Sequence, residues 1–166
     1  MITPSVIVAV FSLLPSSYEQ GDVLAVSEEI AAVAANRVEA ATLAALAWHE
    51  TKLSRLVLEG HCDQLPKGMR CDGGRALGPW QLHQQACPKA WALATPNGGP
   101  EGQRESLREQ ARCAIRLLRW NGQRGKEHTP TPLHAAFAGY AAQRWTWPGA
   151  EVRVKTVEQL LKKWPR

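Results

Sequence analysis

Residues 38–58 read VEAATLAALAWHETKLSRLVL, and this stretch decides the fold class. Its alanines and leucines are strong helix formers. Leu43, Leu46, Ala47, Leu53 and Val57 recur at helical spacing, which predicts one helix over 38–58. Glu50 breaks the chemistry of that pattern. It lies seven residues after Leu43, four after Leu46, three after Ala47 and three before Leu53, so its carboxylate falls on the apolar stripe. Desolvation disfavours the charged form of a carboxyl in such a place, and a carboxyl held partly protonated near neutral pH is what a general acid requires. The plain alternative is a glutamate that reaches past the helix end into solvent, or one that pairs with Arg55 or another base.

Working outward, the same periodicity predicts helices over 4–14, 23–35, 80–94, 101–121, 132–142 and 150–164. Thr3 followed by Pro4 has the form of an N-cap with proline in the first turn, and Asp22 caps the second helix. Residues 60–78 interrupt the pattern with five glycines, Pro66, Cys62 and Cys71, and read as an irregular loop or a small hairpin. TPNGGP at 95–100 is a turn. The fold class is therefore mainly α, with a central helix and a small loop or hairpin region, organised as one domain over 1–166. On the helix over 101–121, Arg104, Arg108, Arg112 and Arg116 form a basic stripe. Glu101, Glu105 and Glu109 each precede an arginine by three residues, which predicts local pairing on a solvated face rather than a nucleic-acid footprint.

The 166 residues suit one hydrophobic core, and 45% apolar with 21% charged residues excludes a disordered chain. A net charge of +5 draws polyanions, whether nucleic acid, anionic membrane or the acidic polymers of cell walls, and does not choose among them. The four cysteines, Cys62, Cys71, Cys87 and Cys113, allow two disulfides in three connectivities. Cys62–Cys71 would close a short loop and Cys87–Cys113 would tie two helices together; free, partly buried thiols are the alternative. Disulfides would place the protein outside a reducing cytosol. No Lys or Arg precedes Arg37, so the charged start of a secretory signal is missing, and the longest unbroken apolar run near the N-terminus, 6–11, is far too short to span a bilayer. An extracytoplasmic site, in periplasm, cell wall or phage virion, would then need another export route.

Three blocks carry a resemblance. Ala45-Leu-Ala-Trp-His-Glu50-Thr resembles the helix ending in Glu-Ser of soluble lytic transglycosylases and goose-type lysozymes, members of the lysozyme-like superfamily. Asp72-Gly-Gly-Arg-Ala-Leu-Gly78-Pro-Trp-Gln81-Leu resembles the acidic-glycine loop that leads into Gly-Leu-Met-Gln, and Phe137-Ala-Gly-Tyr140-Ala-Ala resembles the segment containing Ala-Tyr-Asn-Ala-Gly. The blocks occur in the family's order. The resemblance implies that Glu50 is the catalytic acid, that Gln81 hydrogen-bonds the sugar, and that the Tyr140 hydroxyl approaches the catalytic carboxyl. It also implies that Asp72, six residues before Gly78, is a second acid near the cleft, and it favours Asp72 over Asp63. Pro79-Trp80 stands where the family has Leu-Met, Ala141 where it has asparagine, and Gln143 where it has glycine. Of the seven tryptophans, Trp80 and either Trp145 or Trp147 are the expected faces against sugar rings.

The implied substrate is the β-1,4 bond between N-acetylmuramic acid and N-acetylglucosamine in peptidoglycan glycan strands. The protein is expected to act as a monomer with no cofactor, no nucleic-acid partner and no membrane span. Three rivals remain. His49-Glu50 opens like the His-Glu-x-x-His helix of zinc hydrolases, but the fifth position is Leu53, and His61, Cys62 and Cys71 show no four-ligand spacing, so no metal is expected. A wall-binding or secretion-associated module of the same fold could have lost activity. A DNA-binding helical protein would suit the charge but lacks a recognition helix with its turn.

Overall fold

The computed structural model of the chain describes residues 2–15, 20–59, 61, 64, 74–94 and 99–164. It is mainly helical with one small hairpin. The elements are α1 (Pro4–Phe11), α2 (Val23–Val33), α3 (Arg37–Thr51), α4 (Arg55–Leu58), β1 (Ala76–Leu77), β2 (Leu82–His83), α5 (Pro88–Leu93), α6 (Gly99–Gly125), α7 (Pro132–Ala142) and α8 (Gly149–Lys162).

The centre is α3. The Asn36 side chain caps it by accepting from the amides of Val38 and Glu39, and Glu39 reaches back to the Ala35 amide at 2.7 Å, a reciprocal arrangement close to a capping box. Ala40, Ala41, Leu43, Ala44, Ala45, Leu46 and Ala47 have no exposed surface. A helix buried all round belongs to the interior, and its small alanines let α1, α2, α6 and α8 all approach it. Burying each of Leu43 and Leu46 contributes about 1.5–3 kcal/mol.

The predicted helix over 38–58 is two helices. Lys52 (φ 53°) and Leu53 (φ 55°) are left-handed, so α3 ends one residue after Glu50 and α4 starts at Arg55. Thr51 explains the stop: its hydroxyl donates to the Ala47 carbonyl and accepts from the Leu53 amide, a local side-chain bond that competes with continued helix. Elsewhere α1 stops at Phe11 instead of 14, with its predicted cap, Thr3, accepting from Val6. The expected helix over 80–94 shrinks to α5, because Leu82–His83 pairs antiparallel with Ala76–Leu77. Asp22 caps α2 at 2.8 Å, as its position suggested.

The hairpin turns through Gly78-Pro79-Trp80-Gln81, closed by the Gln81 amide donating to the Gly78 carbonyl at 3.1 Å. Gly78 is required there twice over: its φ is +63°, and a Cβ would stand 1.8 Å from the Oε1 of buried Gln110 on α6. The turn drives Trp80 into the core, fully buried, where its indole N–H donates to the Leu43 carbonyl of α3 at 3.1 Å.

Cys87 and Cys113 form a disulfide that ties the start of α5 to α6, as one of the expected pairings had it; a bond of this kind persists in an oxidising environment. The Cys62–Cys71 pairing lies outside the described residues. Arg104, Arg108, Arg112 and Arg116 on α6 are exposed, as their spacing suggested, but their pairing is only partly local. Arg112 does pair with Glu109 at 2.6 Å, but Arg104 reaches Glu28 and Arg108 reaches Glu29 (3.2 Å) on α2, and Arg119 grips Glu39 of α3 with two 2.8 Å bonds. Arg104, Arg108 and Arg119 tie α6 to α2 and α3. No helix among the described residues is long and apolar enough to cross a membrane.

Candidate functional site

Glu50 occupies the last turn of α3, with about 20% of its side chain exposed. It is neither solvated nor isolated. The Arg153 guanidinium, delivered by α8, donates from Nη2 to Glu50 Oε1 at 2.7 Å and is itself only 13% exposed. Arg153 also donates to the Gly149 carbonyl at 3.3 Å and lies 4.5 Å over the Trp147 ring, while its Nε is buried without a partner. The expectation of an unpaired carboxyl among leucines is corrected on this point. The pairing with a base weighed at the outset does occur, through Arg153 and not Arg55; Arg55 pairs with Glu59 at 3.8 Å.

Two further basic side chains, His49 and Lys52, flank Glu50 along the chain. His49 Nε2 lies 2.9 Å from the Thr156 hydroxyl, within hydrogen-bond distance, and that hydroxyl is also 3.1 Å from the Val152 carbonyl. Burial, reinforced by the charges of Arg153 and Lys52, pushes the His49 imidazole down to about 4, which keeps it neutral at physiological pH. Lys52 sits 3.3 Å over the Trp48 ring; burial and Arg153 lower its pKa, partly offset by Glu50.

Tyr140, on α7, lies between this cluster and the hairpin. Its hydroxyl donates to the Trp80 carbonyl at 2.7 Å, not to Glu50. Burial pushes the phenol well above its ordinary value, and the nearby charge of Glu50 adds to the shift, so the group is a permanent donor. Gln81 is left-handed (φ 48°), and its side-chain amide donates to the Gly78 carbonyl at 3.0 Å.

Beyond Tyr140 opens a groove of about 570 Å³ between the hairpin, α6 and α7. Gln81, Tyr140 and Trp145 line it, as do Trp120, Arg124 and Gln143; Glu50 is not among its lining residues. The structure therefore brings Gln81, Tyr140 and Trp145 to one groove and sets Glu50 behind Tyr140. Trp80 offers no face to a sugar, because it is fully buried, and the Trp147 ring is covered by Arg153. Asp63 and Asp72 lie outside the described residues. Among the described residues no three His, Cys, Asp or Glu side chains are placed to hold a metal ion.

The four non-glycine residues with positive φ among those described are Lys52, Leu53, Gln81 and Gln143, two lying two and three residues after Glu50 and two on the groove. Lys52 and Gln143 are the left-handed C-caps at which α3 and α7 end. Sequence reasoning missed Arg153 and Trp120, although both carried a signal. Arg153 stands three residues after Ala150 and four before Val157, on the buried edge of α8, the same test that singled out Glu50. Trp120 stands four residues from both Arg116 and Arg124, on the polar side of α6, and is 51% exposed.

No family model, curated protein or solved structure matches this chain.

Proposed function

We propose that the protein cleaves the β-1,4 bond between N-acetylmuramic acid and N-acetylglucosamine in peptidoglycan, as a lysozyme-like lytic transglycosylase or muramidase with Glu50 as general acid. The observation that carries this reading is the half-buried Glu50 carboxyl at the end of the central helix, close enough to act on the Tyr140 phenol beside a groove. The three ordered sequence blocks supply the substrate.

Arg153 engages Oε1, and Oε2 is the oxygen that carries the transferable proton. Glu50 gives that proton to the glycosidic oxygen as the bond to C1 breaks and positive charge develops on the ring. In a transglycosylase the muramoyl 6-hydroxyl attacks C1, closes an anhydro ring and returns its proton to Glu50. In a hydrolase, water attacks instead, and Asp72 positions it. The disulfide and the wall substrate together point to an extracytoplasmic site of action, reached by a phage lysis system, a virion or another dedicated route.

The Arg153 ion pair also favours a second reading, a wall-binding module of the same architecture without activity. Turbidity of a peptidoglycan suspension separates the two. Clearing by the wild type that falls at least about 100-fold in Glu50→Gln supports the enzyme; binding without clearing selects the module. Asp72→Asn is severe for a hydrolase and mild for a transglycosylase.

A further inference from the structure

We infer that the Cys87–Cys113 pair is a redox latch on the hairpin side of the groove, closed by oxidation through a Cys113 thiolate that the Arg116 guanidinium stabilises. Of the α6 arginines between 104 and 119, Arg116 is the exception. Arg104, Arg108, Arg112 and Arg119 are each bound to a carboxylate, whereas Arg116 Nη2 lies 3.2 Å from Cys113 Sγ and 3.5 Å from the Ala86 carbonyl. Both cysteines are buried, and burial favours the thiol, but a guanidinium beside a sulfur favours the thiolate. Among the described residues that guanidinium meets the sulfur of Cys113 and not that of Cys87. Glu109, one turn before Cys113, is held by Arg112 at 2.6 Å and by Lys89 at 3.1 Å, so its charge is already matched. The two sulfurs are therefore unequal.

Closure moves two electrons. The Cys113 thiolate attacks one sulfur of a disulfide oxidant, forms a mixed disulfide and expels a thiolate. Cys87 then gives up its proton and attacks Cys113 Sγ, expelling the oxidant's other sulfur as a second thiolate. The oxidant leaves as two thiols and the Cys87–Cys113 bond remains. That bond lies just behind the groove wall, because Gln85 and Ala86 line the groove and Cys87 follows them. The wall is light. β2 has two residues and α5 has six, and a hairpin this small is not stable by itself. The Trp91 indole N–H donates to the Leu82 carbonyl within the segment, and the Ser106 hydroxyl donates from α6 to the Ala90 carbonyl. With the bond open, Gln85 and Ala86 lose their covalent tie to α6, and the hairpin side of the groove loosens. In a reducing cytosol the wall stays unlatched, and it closes in an oxidising compartment.

That an open latch also slows wall cleavage rests on the proposed activity; the latch itself does not. The test starts from protein reduced with dithiothreitol and follows closure of the bond by oxidised glutathione at slightly acidic pH. Alkylation and peptide mass spectrometry read Cys87 and Cys113 separately from the other two cysteines. The wild type closes about tenfold faster than Arg116→Gln, and Arg116→Lys, which keeps the cation, recovers most of the difference. Arg116 is exposed, so the fold tolerates both changes. On reduction, hydrogen exchange rises in residues 82–94 and not in α3. Cleavage of peptidoglycan falls about tenfold in Cys87→Ser with Cys113→Ser, the effect of a displaced groove wall. Equal closure rates for wild type and Arg116→Gln, unchanged exchange in 82–94, or undiminished cleavage by the serine variant of an active wild type would overturn the inference. Should the wild type fail to cleave peptidoglycan while closure and exchange behave as stated, the activity reading fails and the latch stands. Cleavage by the wild type with closure indifferent to Arg116 removes the latch alone.

Discussion

The two sides of Tyr140 are built on opposite principles. On one, a single carboxylate, Glu50, is paired with Arg153 and feels the charge of Lys52, and each of these two cations lies over an indole, Trp147 and Trp48. On the other, a groove with no acid among its described lining residues presents indoles and carboxamides. The first arrangement fixes and polarises one charged group at some cost in solvation; the second offers area and hydrogen bonds to something larger than a side chain. The contrast sets a clustered charge at the end of α3 against an open groove between the hairpin, α6 and α7, with Trp80 as the wall between them. Its indole meets α3 and its carbonyl meets Tyr140.

Removing that wall has the largest expected effect on stability. Trp80→Ala leaves a cavity under both regions and costs about 3–5 kcal/mol, read as a loss in urea unfolding; a loss under about 1 kcal/mol would mean that the partition is not structural. Next comes the disulfide. Cys87→Ser with Cys113→Ser costs about 2–4 kcal/mol, and hydrogen exchange should rise in β2 and α5, next to the groove, while the end of α3 keeps its protection. Equal deprotection at Glu50 would erase the distinction between the two sides.

Arg153→Met sharpens the comparison from the other side. The pair is more buried than a surface bridge and less than a core one, so the substitution costs about 2 kcal/mol. Glu50→Gln added to it restores part of that loss, because no carboxylate is then left without a partner; strict additivity of the two changes would show that they do not couple. The smallest effect is on pH dependence. With the folded His49 pushed down to about 4, the unfolded chain binds the extra proton between roughly pH 6.5 and 4. Stability therefore falls as pH drops through that window, and His49→Gln flattens the fall in melting temperature there. An unchanged slope would place the acid sensitivity elsewhere, for example in Glu39, whose carboxyl Arg119 holds below its ordinary range.

Much of this was legible in the sequence, and the gaps have physical causes. Caps and periodicity marked α1, α2, α6, α7 and α8, and the extent of α7 is the predicted one, because Thr131 and Pro132 punctuate its start. The break after Glu50 carries no glycine; Thr51 makes it with a side-chain bond that helix propensity does not register. Trp80 follows a turn glycine and a proline, yet its apolar neighbours mimic a helix, so the hairpin was misread as the start of one. Pairing across helices is invisible to local spacing, which is why the partners of Arg104 and Arg108 on α2 were not foreseen and Arg153 went unremarked. Glu50 stood out because it is an odd residue in a regular context, and Tyr140 only through the resemblance of its block; Trp120 hid behind the assumption that tryptophan is core.

The most direct test of the central claim is mass spectrometry of the fragments released from purified peptidoglycan. The account predicts new chain ends, anhydro-muramic or reducing, with wild-type protein and none with Glu50→Gln. Identical fragment patterns from the two proteins, or no new ends from either, would contradict it.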